Sequence, residues 1–269
     1  RDGNPRDHVT LRIFKADLHI HTCLSPCADL NMGPRAIVNK AAQQGLDVIG
    51  ICDHNSSENV PAVAKAAQGT NLKVMAGMEV TSKEEVHILA LFDSLDKAFR
   101  LQDIVYEHLR GENDPEAFGL QVVVNEDHDV LGFNHRLLAG ATELSVEQVV
   151  DSIRGLDGLA IASHIDRETF GIIGQLGFIP AGLQLDALEV SRNTSPEEAG
   201  RRFPQYGHFA FVRSSDAHFL EDIGTTSTSF LLSEATAGEI KKALRGEDHR
   251  RVVAGDCAGG APPEQHAFG

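Results

Sequence analysis

The sequence predicts an α/β fold, a closed barrel of alternating strands and helices, and two observations support this prediction. Short apolar runs typical of strands alternate with segments typical of helices, which is the pattern of a mainly parallel sheet. Seven apolar runs are bordered by histidine or a carboxylate, so polar side chains collect at strand ends. Because active sites of parallel α/β barrels lie at the ends of the strands, this arrangement indicates closure around a single site.

Each element has a local signal. Strands are predicted at 13–20, 47–52, 72–78, 86–92, 158–163, 185–190, 209–214 and 226–232. A helix over 34–45 has Pro34 in its first turn and Gly45 just past its end. Further helices are predicted over 57–68, capped by Ser56 or Ser57, near 97–110, from Ser145 to Arg154, and over 235–245.

The alternation of strands and helices defines the domain organisation. It holds over 13–93 and 157–245, which we assign to the barrel. Residues 94–156 interrupt it and form an insertion, expected to be a cap over the barrel mouth or an interaction segment, with packing on the barrel side as the alternative. Residues 246–269 form a tail whose Gly-, Ala- and Pro-rich end, from 254 onward, is expected to be poorly ordered.

Composition limits the classes of function. The chain of 269 residues has 24 basic and 39 acidic residues, and the net charge of −15 argues against a non-specific grip on a long polyanion. With no Trp and two Tyr, few aromatic rings are available to stack bases. No apolar run is long enough to span a bilayer and no signal-peptide core is present, so we expect a cytoplasmic protein without a membrane partner.

The segment 17–22 contains the first residues that indicate a metal site. On a strand, alternate side chains share a face, so Asp17, His19 and His21 are expected to point the same way. Two imidazoles one pleat apart can bind one metal ion. Further residues of metal-binding type border later strands, namely Asp53, His54, Glu79, His87, His164, Asp216 and His218.

The ordered set of phrases resembles the polymerase and histidinol phosphatase (PHP) superfamily of metal-dependent phosphoesterases. The matching phrases are Asp17-Leu18-His19-Ile20-His21-Thr22, Cys52-Asp53-His54-Asn55, Gly77-Met78-Glu79-Val80, Val86-His87-Ile88, Ala162-Ser163-His164 and Ser214-Ser215-Asp216-Ala217-His218. Glu79 closely followed by His87 looks most like the small PHP phosphoesterases that act on nucleotides or short RNA ends. The resemblance implies a distorted (β/α)7 barrel, with the insertion between the fourth and fifth strands. An ordinary eight-stranded barrel is the alternative.

The resemblance also implies two to three divalent ions, Zn, Mn or Fe, and a set of ligands for each ion. One ion would be held by His19, His21, Glu79 and Asp216, a second by His54 and His218, and a third by Glu79, His87 and His164. Glu79 is given the bridging position because a carboxylate has two oxygens. Catalysis is assigned to Glu79, Asp216 and His164.

The second ion needs another ligand, and here the chain departs from the family pattern. Counting back from Pro34 places Asp29 at the family's carboxylate position, whereas counting forward from His21 points to Pro26 or Cys27. An oxygen ligand suits Mn, Mg or Fe as well as Zn, and a thiolate favours Zn. We assign Asp29 and keep Cys27 as the alternative. Asp53 is expected to orient an imidazole rather than to bind metal.

Two arginines are candidates for binding the substrate phosphate. Arg167 follows His164 at a His–x–x–Arg spacing that the resemblance associates with nucleotide-cleaving members, and its planar fork suits a phosphate. Arg192 follows another strand. The alternative for either is a surface ion pair in an acidic protein.

The function that follows is a metal-dependent phosphoesterase, which uses a metal-bound hydroxide to hydrolyse a nucleotide, a sugar or amino-alcohol phosphate, or a short oligonucleotide. An acidic insertion would repel a longer nucleic acid, so the expected partner is a small phosphorylated substrate and no long nucleic acid. A homo-oligomer or a larger complex stays open. The alternatives are an amidohydrolase-type enzyme and a non-catalytic metal-binding accessory subunit.

Overall fold

A mixed sheet curls around the centre of the computed structural model, which describes residues 10–253. Its strands and those of a separate hairpin are β1 (Arg12–Ile20), β2 (Val48–Ile51), β3 (Lys73–Thr81), β4 (His87–Phe92), β5 (Val122–Val124), β6 (Val130–Phe133), β7 (Leu159–Ala162), β8 (Ala187–Val190), β9 (Ala210–Arg213), β10 (Thr228–Leu232) and β11 (Arg251–Val253). The helices are α1 (Pro34–Gln43), α2 (Val60–Ala66), α3 (Leu95–His108), α4 (Pro115–Phe118), α5 (Val146–Gly155), α6 (Ile172–Leu176), α7 (Pro196–Arg202) and α8 (Ala237–Arg245). All eight predicted strands are present, whereas β5, β6, β11 and the short helices α4, α6 and α7 were not predicted.

The main sheet has nine strands in the order β11-β10-β1-β2-β3-β4-β7-β8-β9. Strands β1 to β3 run parallel, as do β7 to β9, while β10 is antiparallel to β1. At one end the chain after β9 reaches β1, where His21 N–H donates to Ala217 C=O at 3.0 Å and Ala217 N–H donates to His19 C=O at 3.2 Å. The sheet is therefore nearly closed, and the predicted distorted α/β barrel is confirmed as a class, with nine strands in the sheet of the described residues.

Strand β4 departs from the mainly parallel sheet that the sequence predicts. It pairs antiparallel with both β3 and β7, because residues 82–86 form a tight connection in which Ser82 N–H donates to Val86 C=O at 2.9 Å. A parallel pair would need a much longer crossover. His87 consequently opens β4 at the barrel mouth, and Phe92 ends the strand at the opposite face.

The insertion 94–156 divides into parts with different positions. Helix α3 packs beside β3 and β4, and α5 beside β4 and β7, so both lie on the side of the barrel. The segment between them returns to the mouth, where Asn55 Nδ2 donates to Leu138 C=O and Gly140 C=O, each at 2.8 Å. The insertion therefore has two helices on the side of the barrel and a segment at its mouth, and the role of that segment as a cap stays a prediction.

Two apolar clusters fix which way the strands face. Phe14, Ala16 and Leu18 belong to one cluster, whereas Ile20 belongs to the other. The register of β1 against β2 shifts between Asp17 and Ile20, and such a bulge reverses the alternation of side chains. The bulge directs the last residues of β1 to a different face from the one that simple alternation predicts.

Strand β11 lies in the predicted tail, and the expectation of poor order from residue 254 onward lies outside the described residues. Between residues 10 and 253, no helix has the length and apolar character needed to cross a membrane.

Candidate metal centre

Glu79, near the end of β3, is the central carboxylate of a buried cluster at the barrel mouth. Its side chain is 1% exposed. Its two oxygens lie close to ring nitrogens of five histidines, at 3.0 Å from His87, 3.2 Å from His54, 3.3 Å from His164, 3.4 Å from His19 and 3.5 Å from His21. One carboxylate therefore contacts imidazoles brought by β1, β4 and the chain after β2 and β7.

A second carboxylate completes this cluster from the segment after β9. Asp216 Oδ1 lies 3.3 Å from Nε2 of both His19 and His21, and 3.6 Å from Nδ1 of His218. Three groups have ligand atoms within 4.8 Å of one another: His19 with His21 and Asp216, His21 with His54 and His218, and His54 with Glu79 and His87. The structure thus brings together eight of the nine residues predicted as metal ligands.

Hydrogen bonds fix which nitrogen each histidine of β1 turns to the centre. His19 Nδ1 lies 3.0 Å from Glu189 Oε2 and donates to it. His21 Nδ1 lies 2.9 Å from Ser25 Oγ, which donates its own hydrogen to Asp53 Oδ1 at 2.7 Å. With both Nδ1 atoms acting as donors, the two Nε2 atoms face each other at 3.1 Å and require a shared proton or a cation between them.

Three buried atoms of the cluster lack a hydrogen bond within residues 10–253. Glu79 Oε1, His87 Nδ1 and His164 Nδ1 are buried and make no hydrogen bond of acceptable geometry to any described residue. Buried polar atoms are rarely left without a partner, and carboxylate oxygens and imidazole nitrogens are ligands of Zn²⁺ and related ions. The donor set therefore fits divalent metal ions.

The pKa shifts differ from one group of the cluster to another. Burial would raise the pKa of Glu79, but the neighbouring His87 and His19 outweigh it and hold that pKa well below its ordinary value. Burial also lowers the pKa of His21 far below its ordinary value, with His218 acting in the same direction. An ionised carboxylate and a neutral imidazole are the forms that bind metal. Burial would also lower the pKa of His19, but Glu189, Glu79 and Asp216 outweigh it and raise that pKa well above its ordinary value.

The carboxylate of the ninth predicted ligand, Asp29, does not join the cluster, although the backbone N–H of Asp29 donates to His218 C=O at 2.9 Å. Its Oδ1 accepts the N–H of Asn31 at 2.7 Å and so holds a turn, and it belongs to none of the three groups found among residues 10–253. Cys27, the alternative, also belongs to none of these groups, but it lines the cavity and its thiol hydrogen-bonds to His218 and His54. Burial would raise the pKa of Cys27, but these two hydrogen bonds lower it to about 6.

The two candidate arginines differ in position. Arg167 lines the cavity, and its Nη1 lies 2.7 Å from Asp216 Oδ2. Arg192 instead pairs with Asp222 at 2.7 Å, half-exposed, and is not among the residues that line the cavity. The ion-pair alternative therefore describes Arg192, and Arg167 alone of the two faces the cluster.

Sequence reasoning missed several residues that support the cluster. Asp17 does not join His19 and His21, because the bulge in β1 turns it to the backbone N–H groups of Ser215 and Gly224, both at 2.9 Å. Glu189, 2% exposed at the end of β8, was not singled out. A carboxylate in the otherwise apolar run Ala187–Val190 was the available signal, but its partner lies on β1, far away in sequence.

The cluster forms the floor of a cavity of about 280 Å³. Besides cluster residues, its walls are formed by Cys27, Ala139, Arg167, Thr169 and Phe170. Both His164 and Asp216 have positive φ angles, 28° and 51°, which are uncommon for residues other than glycine and concentrate at functional sites. The arrangement is suited to holding cations and an anionic group next to a single basic side chain.

Comparisons with known proteins agree with this geometry. A model of the PHP domain matches residues 17–179. A 5'-3' exoribonuclease of Haemophilus influenzae is 30% identical over 80 residues, which cover 29% of this chain and 28% of that protein. Endonuclease Q from Pyrococcus furiosus has a TM-score of 0.69 at 18% identity, over 90% of this chain and 58% of that one. An endonuclease Q complex with a 27-mer duplex has a TM-score of 0.66 at 19% identity, over the same shares.

These relatives correct one expectation, the exclusion of a long nucleic acid. The barrel of endonuclease Q matches this one while that protein holds a 27-mer duplex with an abasic lesion at its active site, and the other relative is an exoribonuclease. The charge argument failed for a physical reason as well. In the acidic insertion, Glu126 pairs with Lys65 at 2.5 Å and Asp127 with Arg35 at 2.6 Å. The acidic residues of the insertion overstate its local negative charge, since Lys65 and Arg35, which lie outside the insertion in sequence, pair with two of these carboxylates. The chain spans less than two thirds of the length of each relative.

Proposed function

The chain belongs to the PHP domain family, and from this premise we propose that it is a metal-dependent phosphoesterase that hydrolyses a phosphate ester of a nucleotide or nucleic acid. The observation that carries the proposal is the position of Glu79, one buried carboxylate shared by five imidazoles. A carboxylate so placed has two oxygens with which to bridge ions.

The proposed ligands follow the observed contacts. The first ion would be held by His19, His21, Glu79 and Asp216, the second by His54, His218 and Cys27, and the third by Glu79, His87 and His164. Cys27 replaces Asp29 because its thiol lies beside His54 and His218, whereas the Asp29 carboxylate holds a turn. A thiolate in the second position would favour Zn over Mn or Mg.

Divalent ions in these positions would lower the pKa of water and offset charge on the phosphoryl oxygens. The protein's own residues supply the rest. Glu189 holds the His19 ring with Nδ1 as donor, and Asp53 does the same for His21 through Ser25. Arg167, paired with Asp216 at the cavity wall, has further N–H groups with which to bind a phosphate oxygen bidentately.

The relatives support a nucleotide or nucleic-acid substrate. One is an exoribonuclease and another an endonuclease, and both cleave phosphodiesters of nucleic acids. An amidohydrolase-type reaction is the alternative, and the cavity wall is less suited to it, because Arg167 lies beside the cluster. A cationic guanidinium beside the cluster suits a phosphate better than a neutral amide.

Metal analysis combined with a hydrolysis screen tests the proposal. The purified protein is assayed for bound Zn, Mn and Fe, and then against nucleoside monophosphates, single-stranded and duplex oligonucleotides, a sugar phosphate and a cyclic amide. We expect bound metal and cleavage of at least one nucleotide or oligonucleotide ester. Glu79→Gln should lose both metal and activity, while Glu147→Gln, at an exposed position of α5, should retain both.

Other outcomes would contradict the proposal in distinct ways. Hydrolysis of the amide alone would identify an amidohydrolase. Retained metal without hydrolysis of any ester would indicate a metal-holding accessory subunit. Near wild-type hydrolysis by Glu79→Gln would contradict the shared role of that carboxylate.

A further inference from the structure

Phe170 presents an aromatic ring at the rim of the cavity. It is 38% exposed, although most large apolar side chains of the barrel are buried. It lines the same cavity as Arg167, three residues earlier in the chain, and as the histidines of the cluster. Water therefore reaches a large apolar ring a short distance from the candidate phosphate-binding arginine.

The backbone holds this ring in a costly conformation. The φ angle of Phe170 is +61°, in the left-handed region that bulky residues rarely adopt. Its C=O accepts the N–H of His87 at 2.9 Å. Gly171, which follows, lets the chain turn tightly, because a Cβ there would lie 2.5 Å from Arg167 O. Non-glycine residues in such conformations concentrate at ligand-binding and active sites.

The ring is also fixed from one side. It stacks on the imidazole of His87, with centroids 4.4 Å apart and ring planes 15° apart. His87 covers one face, so the accessible part of Phe170 is turned toward the cavity and the solvent. A ring with one face supported and the other accessible is suited to stacking on a second flat ring.

We propose that Phe170 is the stacking platform for a nucleobase of the substrate, while Arg167 and the cluster bind the adjoining phosphate. This inference rests on the proposed function, because it assigns a base to the ester that the cluster cleaves. Phenylalanine has no hydrogen-bonding group, so the contact depends on the flat face that all bases share and not on base identity. The platform would give affinity for nucleotides over sugar phosphates.

A purely structural role for the ring makes a different prediction. If Phe170 only covered His87, its removal would weaken metal binding and would affect all phosphate ligands equally. A stacking platform would instead affect ligands that carry a base. The substitution Phe170→Leu keeps an apolar cover over His87 but removes the flat ring, and Phe170→Tyr keeps the ring.

The experiment measures binding and not turnover, with the metal-loaded protein titrated by calorimetry. The ligands are two phosphonates in which a methylene group replaces the ester oxygen and prevents hydrolysis, one of adenosine and one of ribose without a base. In the wild type we expect the adenosine compound to bind about 5- to 150-fold more tightly, the range for stacking one base. That ratio should fall close to one in Phe170→Leu and persist in Phe170→Tyr. The control Phe178→Leu removes a ring that is more exposed than Phe170, at 56%, and is not among the cavity-lining residues, and it should leave the ratio unchanged.

The results separate this inference from the proposed function. An unchanged ratio in Phe170→Leu, a wild-type ratio near one, or loss of metal from Phe170→Leu would each overturn the platform. If no phosphoester is hydrolysed but the ratio of the two affinities falls to about one in Phe170→Leu, the stacking role of Phe170 is supported and the proposed activity is contradicted. If esters are hydrolysed and the wild type binds both phosphonates equally tightly, the proposed activity is supported and the stacking role of Phe170 is contradicted.

Discussion

Replacing Glu189 by Gln should weaken metal binding without removing a metal ligand. Glu189 Oε2 accepts from His19 Nδ1 at 3.0 Å and from the His164 N–H at 3.2 Å, and the side chain is 2% exposed. Gln has the same shape and can place its amide oxygen where Oε2 now lies. The substitution therefore removes the charge behind His19 while keeping both hydrogen bonds.

The expected loss of metal affinity follows from the change in the hydrogen bond to His19. A hydrogen bond to a charged group contributes about 1.5–3 kcal/mol, and a neutral one about 0.5–1.5 kcal/mol. The difference at His19 is therefore about 1–1.5 kcal/mol, which corresponds to roughly a 5- to 13-fold weaker metal affinity. This range meets the lower end of the ~10- to 100-fold loss measured when a partner behind a metal-binding histidine is removed.

Competition with a chromophoric chelator measures this loss. Metal dissociation constants are compared for the wild type, Glu189→Gln and the exposed control Glu147→Gln, and circular dichroism checks that each variant is folded. We expect weaker binding of one metal equivalent in Glu189→Gln and no change in the control. Wild-type affinity for every equivalent in Glu189→Gln would refute the argument that the carboxylate strengthens His19 as a ligand.

Three further predictions concern single side chains. Arg167→Ala should retain metal but lower hydrolysis by ~10²–10³, the scale of one lost transition-state donor, and single-turnover assays that show wild-type rates would remove its role in binding phosphate. In cobalt-loaded protein, Cys27→Ser should abolish the near-ultraviolet thiolate-to-cobalt absorption band while Asp29→Asn retains it, and the opposite pattern would restore Asp29 as the ligand. Burial would raise the pKa of Glu239, but Arg250 lowers it to about 2, so the stability that the ionised form contributes is present above about pH 5 and is lost as pH falls toward 2. Acid unfolding of Glu239→Gln should therefore depend less on pH in that window, and an unchanged slope would contradict this.

Local sequence determined most of the elements and the types of ligand. The eight predicted strands are present because each apolar run is bounded by polar or turn-forming residues, and these signals need no partner strand. Helix α5 likewise begins where Ser145 and Gln148 form a capping box, which the sequence shows within four residues. The convergence of His19, Glu79 and Asp216 was predictable because each borders an apolar run whose end lies at the barrel mouth.

Tertiary structure alone decided how these elements face and which side chains support them. The direction of β4 and the bulge in β1 depend on pairing with other strands, so alternation within one segment could not reveal them. Glu189 reaches His19 across 170 residues of sequence. The path of the loop after β1 places the thiol of Cys27 beside His54 and His218, whereas the Asp29 carboxylate holds a turn. The exclusion of a long nucleic acid failed for the same reason, since the potential near a site depends on which charges are neighbours in space and not on their sum.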